Sequence, residues 1–228
     1  MRVWIALLSV FVWFIQKPLL SAQESAQEDA LDRSVRVIED ADPVARPLVP
    51  KASAPLPDNA DPDAKTNNSA GLSIEVLPIT DVQAGEKMAF RISTRKAGFL
   101  VLVDVDSQGK LAQIYPNMLT LSDSKGIDSR ANFITPQIPV TVPVAGAKAN
   151  FEFVAAPPVG VGMIVAILSD KPLQIVDLPD VPTALAGQSG AADFVRENAR
   201  ALTIVSADIG GQIKVPKWSI ATAFYGIH

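Results

Sequence analysis

The stretch Gly98-Phe99-Leu100-Val101-Leu102-Val103-Asp104-Val105-Asp106 decides the fold. Up to Val103 both alternating sets of side chains are apolar, so the segment reads as a strand covered on both faces. Ser107-Gln108-Gly109 turns the chain, and residues 110–115 return as the second arm of a hairpin. Upstream, Met88, Phe90 and Ile92 alternate with Lys87, Ala89, Arg91 and Ser93 across residues 87–94, the pattern of a half-buried strand. Residues 72–77, 140–142, 150–154, 161–168, 202–205 and 218–225 supply further short strands. One helix is expected, at 191–201, with Phe194, Val195, Asn198 and Ala201 along one edge. Eleven prolines fall within residues 71–228. That many breaks among short strands predict a mainly β chain, an antiparallel β-sandwich-like domain with one short helix.

Composition changes twice along the 228 residues. Residues 1–22 hold Arg2 and Lys17, no acid, and a run of thirteen largely apolar residues at 3–15. A membrane-spanning helix needs about 20 such residues. The basic start, the short apolar run, Pro18 and the small pair Ser21-Ala22 instead predict a secretory signal peptide, cleaved after Ala22. If kept, the segment is an anchor and the chain's one contact with a membrane. Residues 23–70 contain no glycine and no aromatic residue, but six prolines, ten acids and five bases. They carry too little apolar surface to offset the entropy of ordering, and read as a disordered, acidic, proline-rich spacer. Within it Leu31, Val35 and Ile38 form a weak helical stripe. Residues 71–228 form the β-rich domain, with all thirteen glycines and fourteen acids against thirteen bases. A near-neutral domain without a basic stripe argues against nucleic acid as a partner.

The chain has no cysteine and one histidine, His228, at a terminus where fraying is normal. The missing thiols exclude disulfide frameworks, cysteine nucleophiles and thiolate metal sites. The position of the histidine excludes mechanisms that rest on an internal imidazole, serine triads among them.

Gly98-Phe99-Leu100, Asp104, Gly109 and Tyr115-Pro116-Asn117 together make a recurring pattern. It resembles a bacterial extracytoplasmic domain family of unknown function. The hallmark of that family is a glycine–aromatic–aliphatic strand, an acidic turn ending in glycine, and an aromatic-Pro-Asn close. Pro157-Pro158-Val159-Gly160, the strand at 161–168 and Ser169-Asp170-Lys171-Pro172-Leu173 extend the resemblance over roughly residues 85–225. It implies a domain that often accompanies caspase-like peptidase or protein-kinase modules, and it brings no catalytic residues with it. The same residues also have a purely structural account. Gly98 permits a tight start to the strand, and Gly109 supplies the positive φ that closes many hairpins. Pro116 ends a ladder and Asn117 tolerates turn geometry.

Several residues carry chemistry worth weighing. Asp104 and Asp106 lie two apart on a strand and so share a face, either as a binding pair or as a solvated acidic end before the turn. Calcium-loop spacing would need an acid or amide at Gln108 and a glutamate at Tyr115, and neither is present. Ser122-Asp123-Ser124-Lys125 matches S-x-x-K without the S-D-N and K-T-G elements that chemistry requires. Gly160-Val161-Gly162 lacks the third glycine of a dinucleotide site and begins a strand. Asn67-Asn68-Ser69 matches a glycosylation sequon. Trp218 alternates with Ile220, Thr222 and Phe224 along the last strand. It reads as core, or with Tyr225 as an aromatic platform for a sugar or peptide.

The expectation is therefore an exported, non-catalytic binding or assembly module of the bacterial envelope, without cofactor or metal. Its partner would be another envelope protein, met through sheet edges and loops such as 118–132. Candidate binding residues are Asp104, Asp106, Tyr115, Asn117, Trp218 and Tyr225, with Gly98, Gly109, Pro116, Pro157, Pro158 and Gly160 as structural motif positions. The alternatives are an envelope hydrolase using a Ser–Lys or carboxylate pair, and a calcium-stabilised adhesin-like domain.

Overall fold

The structure, a computed structural model, describes residues 34–39, 68–122, 130–143, 151–173, 176–201 and 217–228. The expected signal peptide, most of the spacer and the expected strand at 202–205 lie outside the described residues. The described chain is mainly β, in two sheets with one substantial helix.

The doubly apolar stretch forms β5 (Gly98–Val105), and all eight of its residues are buried. It pairs antiparallel with β6 (Leu111–Tyr115) on one side and with β10 (Gly160–Ser169) on the other. β11 (Trp218–Ile227) extends this sheet beyond β10 and pairs in parallel with the short β3 (Asp81–Val82). β7 (Phe133–Ile134) adds to the start of β5. The second sheet runs in the order β1 (Val35–Glu39), β9 (Phe151–Ala155), β4 (Lys87–Ser93), β2 (Ser73–Leu77), and β8 (Val140–Val142) also pairs with β4. All pairings but that of β3 are antiparallel.

The period-two alternation of the strands produces two separate cores. Between the sheets, Phe90 and Phe153 meet Leu100, Leu102, Ile164, Leu168 and Tyr225. On the outer face of the larger sheet, Val101, Val103, Val105, Met163, Val165 and Ile167 pack under the helix α2 (Ser189–Ala201) and the loop residues Leu173, Leu178 and Val181. β5 and β10 are therefore covered on both faces, as their unbroken apolar runs require. The buried face of α2 is Ala191, Ala192, Val195 and Ala199, with Phe194 half-buried beside it. Ala191, Val195 and Ala199, at i, i+4 and i+8, line the face turned to the sheet.

Four features differ from the sequence reading. Residues 34–39 are not spacer or helix but an edge strand of the smaller sheet, matched residue by residue from Val35↔Ala155 to Glu39↔Phe151. Val35 and Val37 face the core, so alternation wins over the sparser helical stripe once β9 offers a ladder. The ladder to β9 thus puts Val35–Glu39 in one sheet with β9, β4 and β2. Second, a five-residue helix, α1 (Met118–Ser122), follows β6, so Ser122 closes a helix instead of lying in a loop. Third, the short strands β3 and β7 were not expected, being two residues each. Fourth, His228 is held: its N–H donates to Val82, its carbonyl accepts from Ala84, and its side chain pairs with Asp81.

Candidate functional site

The polar centre of the molecule lies between the sheets, where three strands distant in sequence converge. On β5, Asp104 faces inward in register after Leu100 and Leu102. On β11, Tyr225 faces the same space, and its hydroxyl donates to Oδ1 of Asp104 at 2.6 Å. Ser34, at the start of β1, donates from Oγ to Oδ2 at 2.9 Å. The two hydroxyl oxygens are themselves 2.7 Å apart. A backbone hydrogen bond from Val35 also reaches Asp104. Relative exposures are 1% for Ser34, 1% for Asp104 and 0% for Tyr225, so bulk water does not reach the group.

Burial dominates the electrostatics. It pushes the Asp104 carboxyl from its ordinary 3.8 up to about 6, against the hydrogen bonds from Tyr225 and Ser34, with Asp106 adding a smaller repulsion. Burial and the neighbouring Asp104 carboxylate together hold the Tyr225 phenol well above its ordinary range. A phenol so shifted is a hydrogen-bond donor and not a base. Room for its ring comes from Gly162, which faces Tyr225 across the β10–β11 ladder.

Asp106 does not stand at a solvated strand end, and neither does Asp104. Asp106 is 2% exposed. Its Oδ1 accepts from the backbone N–H groups of Gln108 and Lys110, both at 2.8 Å, and its own N–H donates to the Lys110 carbonyl. The acid thus closes the β5–β6 turn from inside, and its Oδ2 is buried without a hydrogen-bond partner. Gly109 completes that turn with φ of 90°, and a Cβ there would lie 2.1 Å from the Val181 carbonyl oxygen. The burial has a clear cause: loop residues 176–181 cover this end of the hairpin, with Val181 N–H on the Gly109 carbonyl and Asp180 accepting from Leu111 N–H. Among the described residues no group of three or more His, Asp or Glu side chains is placed to hold a metal ion.

The other candidates are scattered. Tyr115 packs in the core between the sheets, its hydroxyl donating to Ala131 at 3.3 Å and pushed by burial up to about 12. Pro116 follows, its carbonyl accepting from the Gln113 side chain. Asn117 caps α1, its Oδ1 accepting from both the N–H and the hydroxyl of Thr120 at 2.8 Å. Pro157, Pro158 and Gly160 form the turn into β10, where Ser107 donates to the Val159 carbonyl. Gly98 sits where a Cβ would lie 2.6 Å from the Ser169 carbonyl oxygen, so close approach of β10 requires it. Trp218 and Tyr225 do not form a platform. They are seven residues apart on one strand and occupy opposite faces, Trp218 against the helix layer and Tyr225 between the sheets.

Ser34 and Gly162 are the members of this centre that sequence reasoning missed as such. Ser34 lies 70 residues from Asp104, and no local pattern marks it. Gly162 carried a signal, since glycine inside an otherwise apolar strand marks a close approach.

A family model described as "Domain of unknown function (DUF4384)" matches residues 81–172. No curated protein and no solved structure matches the chain. The matched stretch spans β3 to β10 and contains Asp104, Asp106 and the Tyr115-Pro116-Asn117 close. Ser34 and Tyr225, the two hydroxyl partners of Asp104, lie outside it.

Proposed function

We propose that this protein is an exported, non-catalytic binding or assembly module of the bacterial envelope. The observation that carries this reading is the enclosure of its reactive-looking groups. A hydroxyl, a carboxylate and a phenol meet at hydrogen-bond distance, yet all three are shut between two sheets and satisfy one another. A catalytic carboxylate or hydroxyl must reach its substrate, whereas these hold strands together. The basic, apolar start of the sequence supports export. Contact with a partner envelope protein falls to the surface around α1 and β7, where Met118 is 79% exposed and Phe133, under the Arg130 guanidinium, is exposed too.

The test uses the full chain in native envelopes, with a photo-crosslinking residue at Met118 and a control at Ser73. The reading expects a discrete crosslinked envelope protein from position 118 and none from position 73. In parallel, the purified chain is screened against ester, peptide, glycoside and phosphoester substrates. Turnover abolished by Asp104→Asn in a folded protein would overturn the non-catalytic reading.

A further inference from the structure

Four oxygens close a ring through the Asp104 carboxyl, whose three sides are Tyr225 Oη to Oδ1 at 2.6 Å, Tyr225 Oη to Ser34 Oγ at 2.7 Å and Ser34 Oγ to Oδ2 at 2.9 Å. Each side is short enough to require one hydrogen between its two oxygens. Ser34 and Tyr225 bring one hydrogen each, and an ionised Asp104 brings none. One side then holds two oxygens with no hydrogen between them. The Val35 contact does not repair it, because that bond ends on the carboxylate itself. A protonated Asp104 supplies the third hydrogen: the bond at Oδ1 reverses, and the donors run head to tail, Oδ1–H to the phenol, phenol to Ser34, Ser34 to Oδ2.

The geometry points to a buried proton-binding site: Asp104 takes up one proton to complete the ring, and the completed ring clamps the N-terminal strand β1 onto β5 and β11. β1 is the member of the ring free to respond. Among the described residues it is the end strand of its sheet, with a single ladder, to β9. Loss of the proton breaks one side of the ring and leaves a charge between the sheets.

Burial is the largest influence on Asp104 and favours the neutral carboxyl, outweighing the donors that favour the ionised form. Asp106, on the same strand, repels the ionised form. Tyr225 from β11 and Ser34 with Val35 from β1 donate to it. Its ladder neighbours, Ile164 on β10 and Ala112 on β6, carry no charge. With the carboxyl held at about 6, the ring is complete in mild acid and open at neutral pH. The N-terminal strand is therefore tight at low pH and loosened at higher pH.

Amide hydrogen exchange on the full chain tests this, with rates corrected for intrinsic pH dependence and β4 amides as the reference for global opening. Between about pH 5 and about pH 7.5 the Val35–Glu39 amides should lose roughly tenfold in protection relative to β4. Asp104→Asn carries a permanent donor in place of the proton, so its β1 amides should stay protected at both pH values. Ser34→Ala removes the β1 member of the ring, and protection should be low at both. An unchanged ratio in the wild-type chain would overturn the proposal. So would an Asp104→Asn chain, folded by the β4 criterion, that keeps the wild-type pH dependence.

Discussion

Gly162 and Tyr225 face each other across the β10–β11 ladder so closely that a Cβ on Gly162 would lie 2.4 Å from both Cζ and Oη of the phenol. The glycine is a slot for the ring that reaches Asp104. Gly162→Ala must push the phenol off its partners or part the two central strands. Overpacking of this kind costs about 1–3 kcal/mol, and leaving the Asp104 carboxyl without its donor adds to it. Thermal denaturation should show a clear fall in Tm for Gly162→Ala, larger than for alanine at Gly190, where a Cβ would meet only the end of the Leu185 side chain, at 3.2 Å.

Asp104 gives the stability a pH dependence opposite to that of most carboxylates. Folding raises its pKa from 3.8 to about 6, so between those values the folded chain binds more protons than the unfolded one. Its contribution is fully present below 3.8 and is lost as pH rises through 6. At about 1.4 kcal/mol per pKa unit the loss is on the order of 3 kcal/mol. Urea unfolding at a series of pH values should show wild-type stability falling relative to Asp104→Asn as pH rises from about 4 to about 7.

Asp106 plays a different part. Alanine at 106 strips the acceptor from two backbone N–H groups of the hairpin turn and should cost about 1–3 kcal/mol. Asparagine keeps the accepting oxygen and should cost less. Because Oδ1 is already engaged by the turn, adding calcium should leave the melting temperature of the wild-type chain unchanged. Chemical and thermal denaturation check both outcomes.

The edge strand sets a boundary that can be tested by truncation. A chain beginning at residue 71 lacks Ser34 and Val35, whereas one beginning at Asp32 keeps them. Burial of Val35 alone is worth about 1.5–3 kcal/mol. The shorter chain should therefore unfold at lower urea than the chain starting at Asp32.

What the sequence made legible follows the range of its signals. Unbroken apolar runs at β5 and β10 announced strands covered on both faces, because that pattern depends only on a strand's own side chains. The shared face of Asp104 and Asp106 was equally readable from period-two geometry. Their burial was not, since it is produced by residues 176–181 and by Ser34, which meet the hairpin only after folding. β1 was hidden in a segment of spacer-like composition, where five residues gain their conformation from β9 and not from their own propensity. The opposite faces of Trp218 and Tyr225 follow from their odd separation, and parity alone argues against an aromatic platform.

The most direct measurement is a carbon-13 NMR titration of the Asp104 side-chain carboxyl in the full-length protein, alongside the Val35 amide. The expected midpoint lies near 6, with a Val35 shift that follows it and a changed midpoint in Ser34→Ala. A carboxyl titrating at the ordinary 3.8, with Val35 insensitive to it, would contradict the buried ring and the strand it holds.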